Sequence, residues 1–224
     1  MPFARHGLFQ YLWSFVKEIQ LESTSGDYSS SLEVILFEGR YMLNTPEATY
    51  SFEDRYTSYR SALKTITIDI KTISSVLVLG LGLGSIPQMM QKLHHYRGEI
   101  DCVEIDNVII RLAEKYYPSQ TQFHKLKIYN ADALQWIRNN ENKYDLIAVD
   151  LFISKIVPEQ FHQIDFLIRL KDALSSKGVL LFSRLKENIN LEQELSNNLF
   201  NVFEGGKDID TGGNLIYCYK SAEN

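Results

Sequence analysis

The chain has 224 residues, a net charge of -5, 45% hydrophobic and 12% aromatic residues. That length suits one sizeable domain with a small appendage, and the aromatic content excludes a disordered chain. No block of Lys or Arg offers the footprint of a protein held on phosphates, so no nucleic-acid partner is expected.

The N-terminal stretch MPFARHGLFQYLWSFVKEIQ starts weakly basic, but Gln10 interrupts its apolar part and Lys17 and Glu18 follow. A signal peptide is not expected. No run reaches the ~20 apolar residues of a membrane span. A soluble, cytoplasmic protein without a membrane partner is the expectation. Phe9, Leu12, Trp13 and Phe15 in this stretch are candidates for an interface or for packing on the chain itself. Next, SLEVILFEGRYMLNT places two apolar runs around Glu38-Gly39, a hairpin signal closed by Pro46. SFEDRYTSYRSALKTI then predicts a helix over 51–66, with Tyr56, Tyr59, Leu63 and Ile66 near helical spacing.

From residue 75 the pattern becomes strand, helix, strand. SVLVLGL, EIDCVEID, LKIYNAD, YDLIAVDLF and GVLLFSRL read as strands. SIPQMMQKLHHY, NVIIRLAEKYY, ALQWIRNN, PEQFHQIDFLIRLKDAL and LEQELSNNL read as the helices that follow them. FNVFEG and NLIYCYK read as two final strands joined by the loop GGKDIDTGG. Strands alternating with helices predict an α/β, doubly wound, mostly parallel sheet. Two strands joined without a helix must pair antiparallel. A seven-stranded, Rossmann-like sheet with an antiparallel last strand is the outline of the class I methyltransferase fold. The expected division is a small N-terminal region, residues 1–65, and a nucleoside-binding domain, residues 66–224.

The glycines of GLGLGS sit where the first of these strands turns into its helix. Gly80, Gly82 and Gly84 permit unusual backbone angles and let a ligand lie against the chain. The helix behind offers free N–H groups and a positive dipole end. Tight strand–helix packing without a ligand is the plainer alternative. Glu104 ends the next strand, about 20 residues on, where an acid accepts hydrogen bonds from ribose hydroxyls. Asp132 ends the third, where a carboxylate meets an adenine amino group or caps a helix; the two roles are compatible. Together they form an adenosine constellation. A dinucleotide site would need glycine at Ser85.

These residues resemble the spermidine synthase-like proteins of the class I S-adenosylmethionine-dependent fold. An apolar strand without an acid at Val78, then GLGLG, resembles the family's strand and G-G-G-D-G turn. VEID at 103–106 matches its ribose-binding motif, and NADALQWI and YDLIAVDLF resemble later segments. LFEGRYML stands where its L-D-G-x-x-Q hairpin is usual, and Tyr59 fits the tyrosine of its Y-H-E helix. The similarity runs over roughly residues 30 to 220. The resemblance implies S-adenosylmethionine or its decarboxylated form as co-substrate, no metal, a small-molecule acceptor and a homodimer; Tyr56 and Tyr59 are read either as lining the acceptor pocket or, as aromatics at helical spacing, as core. The departures are specific. The D-S-S-D that carries the family's base reads DLFI, so Asp150 fills the first place and Ile153 the last, and isoleucine accepts no proton. Leu83, Met42, Arg60 and Ser61 replace further polar groups.

Asp150 is therefore the remaining candidate for a base, or else a carboxylate capping the next turn. His162 reads as a surface residue of an amphipathic helix rather than a base. Cys102 and Cys218 sit inside apolar runs and read as buried strand residues, with no spacing that suggests a metal. Three functions stay open: transfer of a methyl or alkyl group to a small acceptor, an inactive homologue acting through protein contacts, or aminopropyl transfer with a relocated base.

Overall fold

A computed structural model describes residues 7–66, 72–188, 190 and 192–222. Helix α1 (Leu8–Trp13) precedes a four-stranded antiparallel sheet, β1 (Ile19–Thr24), β2 (Leu32–Phe37), β3 (Arg40–Asn44) and β4 (Thr49–Ser51), paired in that order. The expected hairpin is its centre. Phe37 pairs with Arg40, leaving Glu38 (φ 48°) and Gly39 (φ 72°) as a two-residue turn. Positive φ at both positions gives the turn a twist that matches the flanking strands. Of the outer strands β4 has only three residues and β1 reads IQLEST, and neither sequence carries a hairpin signal.

Helix α2 (Thr57–Thr65) leads to the second sheet. Its strands are β5 (Val76–Leu79), β6 (Ile100–Glu104), β7 (Leu126–Asn130), β8 (Tyr144–Val149), β9 (Leu174–Leu185), β10 (Lys207–Asp210) and β11 (Asn214–Lys220). The spatial order is β10-β11-β9-β8-β5-β6-β7. All neighbours among β7, β6, β5, β8 and β9 are parallel, and β11 runs antiparallel between β9 and β10. This is the expected mixed sheet. The order changes direction at β5, so the crevice outside the carboxyl ends of β5, β6 and β8 is the topological place for a ligand.

Helices α3 (Ser85–Lys92), α4 (Asn107–Tyr116), α5 (Gln120–Phe123), α6 (Ala133–Arg138), α7 (Ile164–Ala173) and α8 (Gln193–Val202) lie between the strands. Both faces of β5 are covered. Val76 and Val78 pack in one core with Met89 and Met90 of α3 and with Tyr59 and Leu63 of α2. Leu77 and Leu79 point the other way, into a core with α7 and α8. A third cluster joins Leu32, Val34 and Leu43 of the small sheet to Leu83, Ile109 and Leu112. Cys102 and Cys218 are free and buried, as the apolar context predicts.

Three predicted elements are corrected. FNVFEG is not a strand: α8 runs to Val202, and Leu195, Leu199 and Phe203, all fully buried, recur every fourth residue on its inner face. The strand is KDID, inside the segment read as a loop, and only Ile209 of it is buried. A polar outermost strand of this kind lacks the apolar alternation that marks a strand. The helix expected from Pro158 breaks into a 3-10 turn, Glu159–Phe161, and α7; between them His162 is buried, its Nε2 2.8 Å from the Val157 carbonyl. The helix expected over 51–66 begins only at Thr57. Glu53 is buried, accepts the Tyr41 N–H at 2.8 Å, and pairs with Lys92 at 3.2 Å. This pins a 3-10 turn, Glu53–Arg55, to the small sheet and leaves Tyr56 extended. The expected division after residue 65 falls at the end of α2, beside residues 67–71, outside those described.

Among the described residues no helix is long and apolar enough to cross a membrane. Leu8, Phe9, Leu12, Trp13, Phe15 and Val16 are exposed, with Phe9 stacked on Trp13.

Candidate functional site

A cavity of about 1510 Å³ opens at the carboxyl ends of β5, β6 and β8 and is closed on its other side by the small sheet. Gly80, Gly82, Glu104, Asp132 and Asp150 all line it. Gly84 and Tyr59 do not.

The glycine turn is locked by protein neighbours. A Cβ on Gly80 (φ 91°) would lie 2.3 Å from the Asp150 carbonyl oxygen. One on Gly82 (φ 53°) would meet Ser51 Cβ at 3.2 Å, and one on Gly84 (φ 83°) the Tyr117 ring at 2.6 Å. The first two let β8 and the small sheet come close and still expose backbone to the cavity. Gly84 serves the packing of α3 on Tyr117. Ser51 Oγ accepts the Leu83 N–H at 3.0 Å, and Ser85 Oγ accepts the Phe52 N–H at 2.9 Å. The turn is thus stitched to β4 and the residue after it. Leu83, in the place of the family's aspartate, is buried in the third core and does not line the cavity.

Glu104 is 8% exposed. Its Oε2 accepts the Leu81 N–H at 3.0 Å, its Oε1 accepts the Asp106 N–H at 3.0 Å, and the Gly82 N–H is a third donor. A carboxylate offers about four acceptor positions, so one remains for a ligand hydroxyl. Burial raises the Glu104 pKa, and the three backbone donors oppose the rise. Asp132 caps α6 by accepting the Gln135 N–H at 3.0 Å through Oδ1, while Oδ2 accepts from Gln160 Nε2 at 3.0 Å. It therefore holds the helix end and stands on the cavity wall together.

Asp150 ends β8. Its Oδ1 is buried without a hydrogen-bond partner, and the hydroxyls of Tyr56 and Ser183 face the carboxylate. Burial pushes its pKa up to about 7, against those two hydroxyls. The Tyr56 phenol is raised well above its usual value by burial and then by the Asp150 charge, so it stays a donor toward that carboxylate. Sequence spacing put Tyr56 and Tyr59 on one face; Tyr56 stands before the first turn of α2, yet its ring stacks on that of Tyr59 with centroids 6.2 Å apart. Tyr59 is fully buried and donates to the Val149 carbonyl at 2.7 Å. Tyr56, not Tyr59, lines the cavity. Tyr59→Phe is expected to lower stability by about 1 kcal/mol in urea unfolding, the worth of one hydrogen bond, and to leave ligand affinity unchanged. His162 carries no exposed ring toward the cavity.

The far walls carry Arg40, Arg55, Arg60, Lys155 and Lys186. Their carboxylate neighbours Asp54 and Glu187 are held by Arg40 at 2.5 Å and Lys155 at 3.1 Å. Glu47 lines the rim and makes no ion pair among the described residues. Ile153, where the family carries its base, is 48% exposed on this wall. The loop that bears it is tied down: the Ser154 N–H donates to the Tyr50 hydroxyl oxygen at 3.0 Å, and the Val157 N–H to buried Glu192 at 3.1 Å. No sequence signal marked Tyr50, Tyr28 or Glu192. Among the described residues no group of His, Cys, Asp and Glu is placed to hold a metal ion.

A family model described as the spermine/spermidine synthase domain matches residues 57–205. A polyamine aminopropyltransferase from Vibrio vulnificus (strain CMCP6) is 36% identical over 109 residues, covering 47% of this chain and 36% of that relative. The chain thus spans little more than a third of that relative's length. The fold is similar to a spermidine synthase solved in complex with the transition state analogue AdoDATO, with a TM-score of 0.73 at 16% identity, covering 92% of this chain and 74% of that one. It is also similar to human methyltransferase-like protein 13 solved in complex with SAH, with a TM-score of 0.56 at 26% identity, covering 69% of this chain and 74% of that one.

Proposed function

The chain belongs to the spermine/spermidine synthase domain family, and from that membership we propose that it is a transferase that binds an S-adenosylmethionine-type nucleoside and passes a methyl or alkyl group to a small acceptor. One observation carries the reading: a single cavity gathers the Gly80–Gly82 backbone, Glu104, Asp132 and the buried carboxylate of Asp150. The residues fit the ligand class. Glu104 keeps an acceptor position for a ribose hydroxyl, Asp132 lines the same end for the base, and two neighbours of this fold were solved with AdoDATO and SAH.

S-adenosylmethionine, or its decarboxylated form, supplies a sulfonium-bound carbon; attack by the acceptor makes the new bond while the carbon–sulfur bond breaks and its electrons return to sulfur. What this chain adds is alignment and a proton acceptor. Asp150, poised near neutral pH and facing the Tyr56 hydroxyl, takes the proton that an acceptor amine must shed. It occupies the role that Ile153 cannot fill. The acceptor is not a typical polyamine: Leu83 and Ile153 stand where the family carries acids, and Asp54 and Glu187 on these walls are already paired with Arg40 and Lys155. The exposed Phe9, Leu12, Trp13 and Phe15 support packing of a second copy, read by sedimentation.

Calorimetric titration with S-adenosylmethionine, its decarboxylated form, methylthioadenosine and S-adenosylhomocysteine tests the reading. Micromolar binding of at least one is expected, and the tighter sulfonium form separates methyl from aminopropyl chemistry. No binding of any of the four overturns it in favour of an inactive homologue.

A further inference from the structure

The turn between β1 and β2 brings Tyr28 onto the cavity wall, 50% exposed. Neither its ring nor its hydroxyl has a partner among the described residues. A lone exposed aromatic is ordinary; the support beneath this one is not. Asp106, 1% exposed, spends both carboxylate oxygens on backbone donors. Oδ1 accepts the Val108 N–H at 2.8 Å and the Ile109 N–H at 3.3 Å, capping α4. Oδ2 accepts the Asp27 N–H at 2.8 Å and the Tyr28 N–H at 3.3 Å. Gly26 lets the turn come this close, since a Cβ there would lie 2.3 Å from Asp106 Oδ2.

The Asp106 N–H in turn donates to Glu104 Oε1 at 3.0 Å, and Glu104 Oε2 accepts from Leu81 at 3.0 Å. Hydrogen bonds through two buried carboxylates thus run unbroken from the Tyr28 backbone to the glycine turn. Ile105 and Ile109 line the cavity on either side of Asp106. This places Tyr28 at the β6 end, two strands from Asp150 on β8.

We propose that Tyr28 is a wall of the nucleoside end whose ring packs on an adenosine-type ligand, and that Asp106 is the positioning residue that sets it there. The inference rests on the nucleoside reading above and names a contact from the small sheet to the ligand. Aromatic rings are sequence-tolerant platforms for purine faces, and removing one costs about five- to a hundredfold in affinity.

Calorimetry with methylthioadenosine, alongside thermal melts, tests it on wild type, Tyr28→Phe, Tyr28→Ala, Asp106→Asn and the double variant Tyr28→Ala/Asp106→Asn. Tyr28→Phe is expected to stay within about twofold of wild type, and Tyr28→Ala to weaken binding about tenfold with an unchanged melting temperature. An asparagine offers one oxygen and an NH2 group, so it keeps only one of the two donor pairs. Asp106→Asn therefore weakens binding too, but the double variant binds no worse than Tyr28→Ala alone, because the aspartate acts through the tyrosine. Wild-type binding with Tyr28→Ala unchanged overturns this inference and leaves the nucleoside reading intact. An additive double variant overturns the positioning role of Asp106. Wild type that binds no adenosine ligand overturns both readings.

Discussion

Glu104→Ala is expected to weaken methylthioadenosine binding by about 100-fold or more, measured by calorimetry. A hydrogen bond to a charged group is worth about 1.5–3 kcal/mol, and the alanine loses the carboxylate proposed to receive the ribose. It also releases the Leu81, Gly82 and Asp106 N–H groups, which loosens the glycine turn. Glu104→Gln separates the two effects. Its amide oxygen can still accept from part of the turn, so the fold is kept, but the charge is gone, and about tenfold weakening is expected. The pH dependence has a definite sign. Burial raises the Glu104 pKa, so the carboxylate becomes protonated, and loses acceptor capacity, at a higher pH than an exposed glutamate does. Affinity is expected to fall on acidification through that raised value and to be flat above it. Equal binding by wild type and Glu104→Ala would remove the nucleoside from this site.

Asp150→Asn is expected to make the protein more stable and the transferase slower. Loss of a general base costs about 10²–10⁴ in rate, read as kcat with whichever acceptor the wild type accepts. The same substitution removes a carboxylate that is costly to ionise in the fold. Its pKa rises from 3.8 unfolded to about 7 folded. A raised folded pKa means that the ionised form destabilises: the penalty is absent below about pH 4, grows between pH 4 and 7, and is complete above 7. Its ceiling is about 4 kcal/mol, reduced because the residue, though its carboxylate is buried, lines a cavity open to solvent. The variant should melt about 5 °C above wild type at pH 8, on the scale of 2–4 °C per kcal/mol for a chain of this size. At pH 4 the two should melt together. In the wild type, kcat/KM should rise with pH and level off above about 7, while the residual rate of the variant should not follow that curve. A variant with full activity, or one less stable at pH 8, would exclude Asp150 as the base.

A stable fold would thus tolerate an asparagine at 150 better than the aspartate it has. Strained or unsatisfied groups of this kind concentrate where chemistry is done. The orphaned Oδ1 of Asp150 fits that pattern, whereas the buried carboxylate of Asp106, with both oxygens used, belongs to the frame.

The amino-acid sequence by itself determined the alternation of strands and helices from Val76 to Leu199, the hairpin at Glu38-Gly39, the glycine turn, and the two acids at strand ends. Each is a local signal: a period of two or 3.6, a residue that tolerates positive φ, or a carboxylate at the end of an apolar run. What lay beyond it depended on which distant surface covers a side chain. Tyr56 and Tyr59 look alike in sequence. The fold sends one to the cavity and the other to the Val149 carbonyl, because buried Glu53 stops the helix before it starts. His162 sits on an amphipathic pattern yet is buried. KDID lacks alternation because a polar outermost strand has only one neighbour to satisfy. The tie between Asp106 and the Gly26–Tyr28 turn joins residues 78 or 79 positions apart. Such contacts form only when the small sheet closes over the large one, and that closure gives the cavity its second wall.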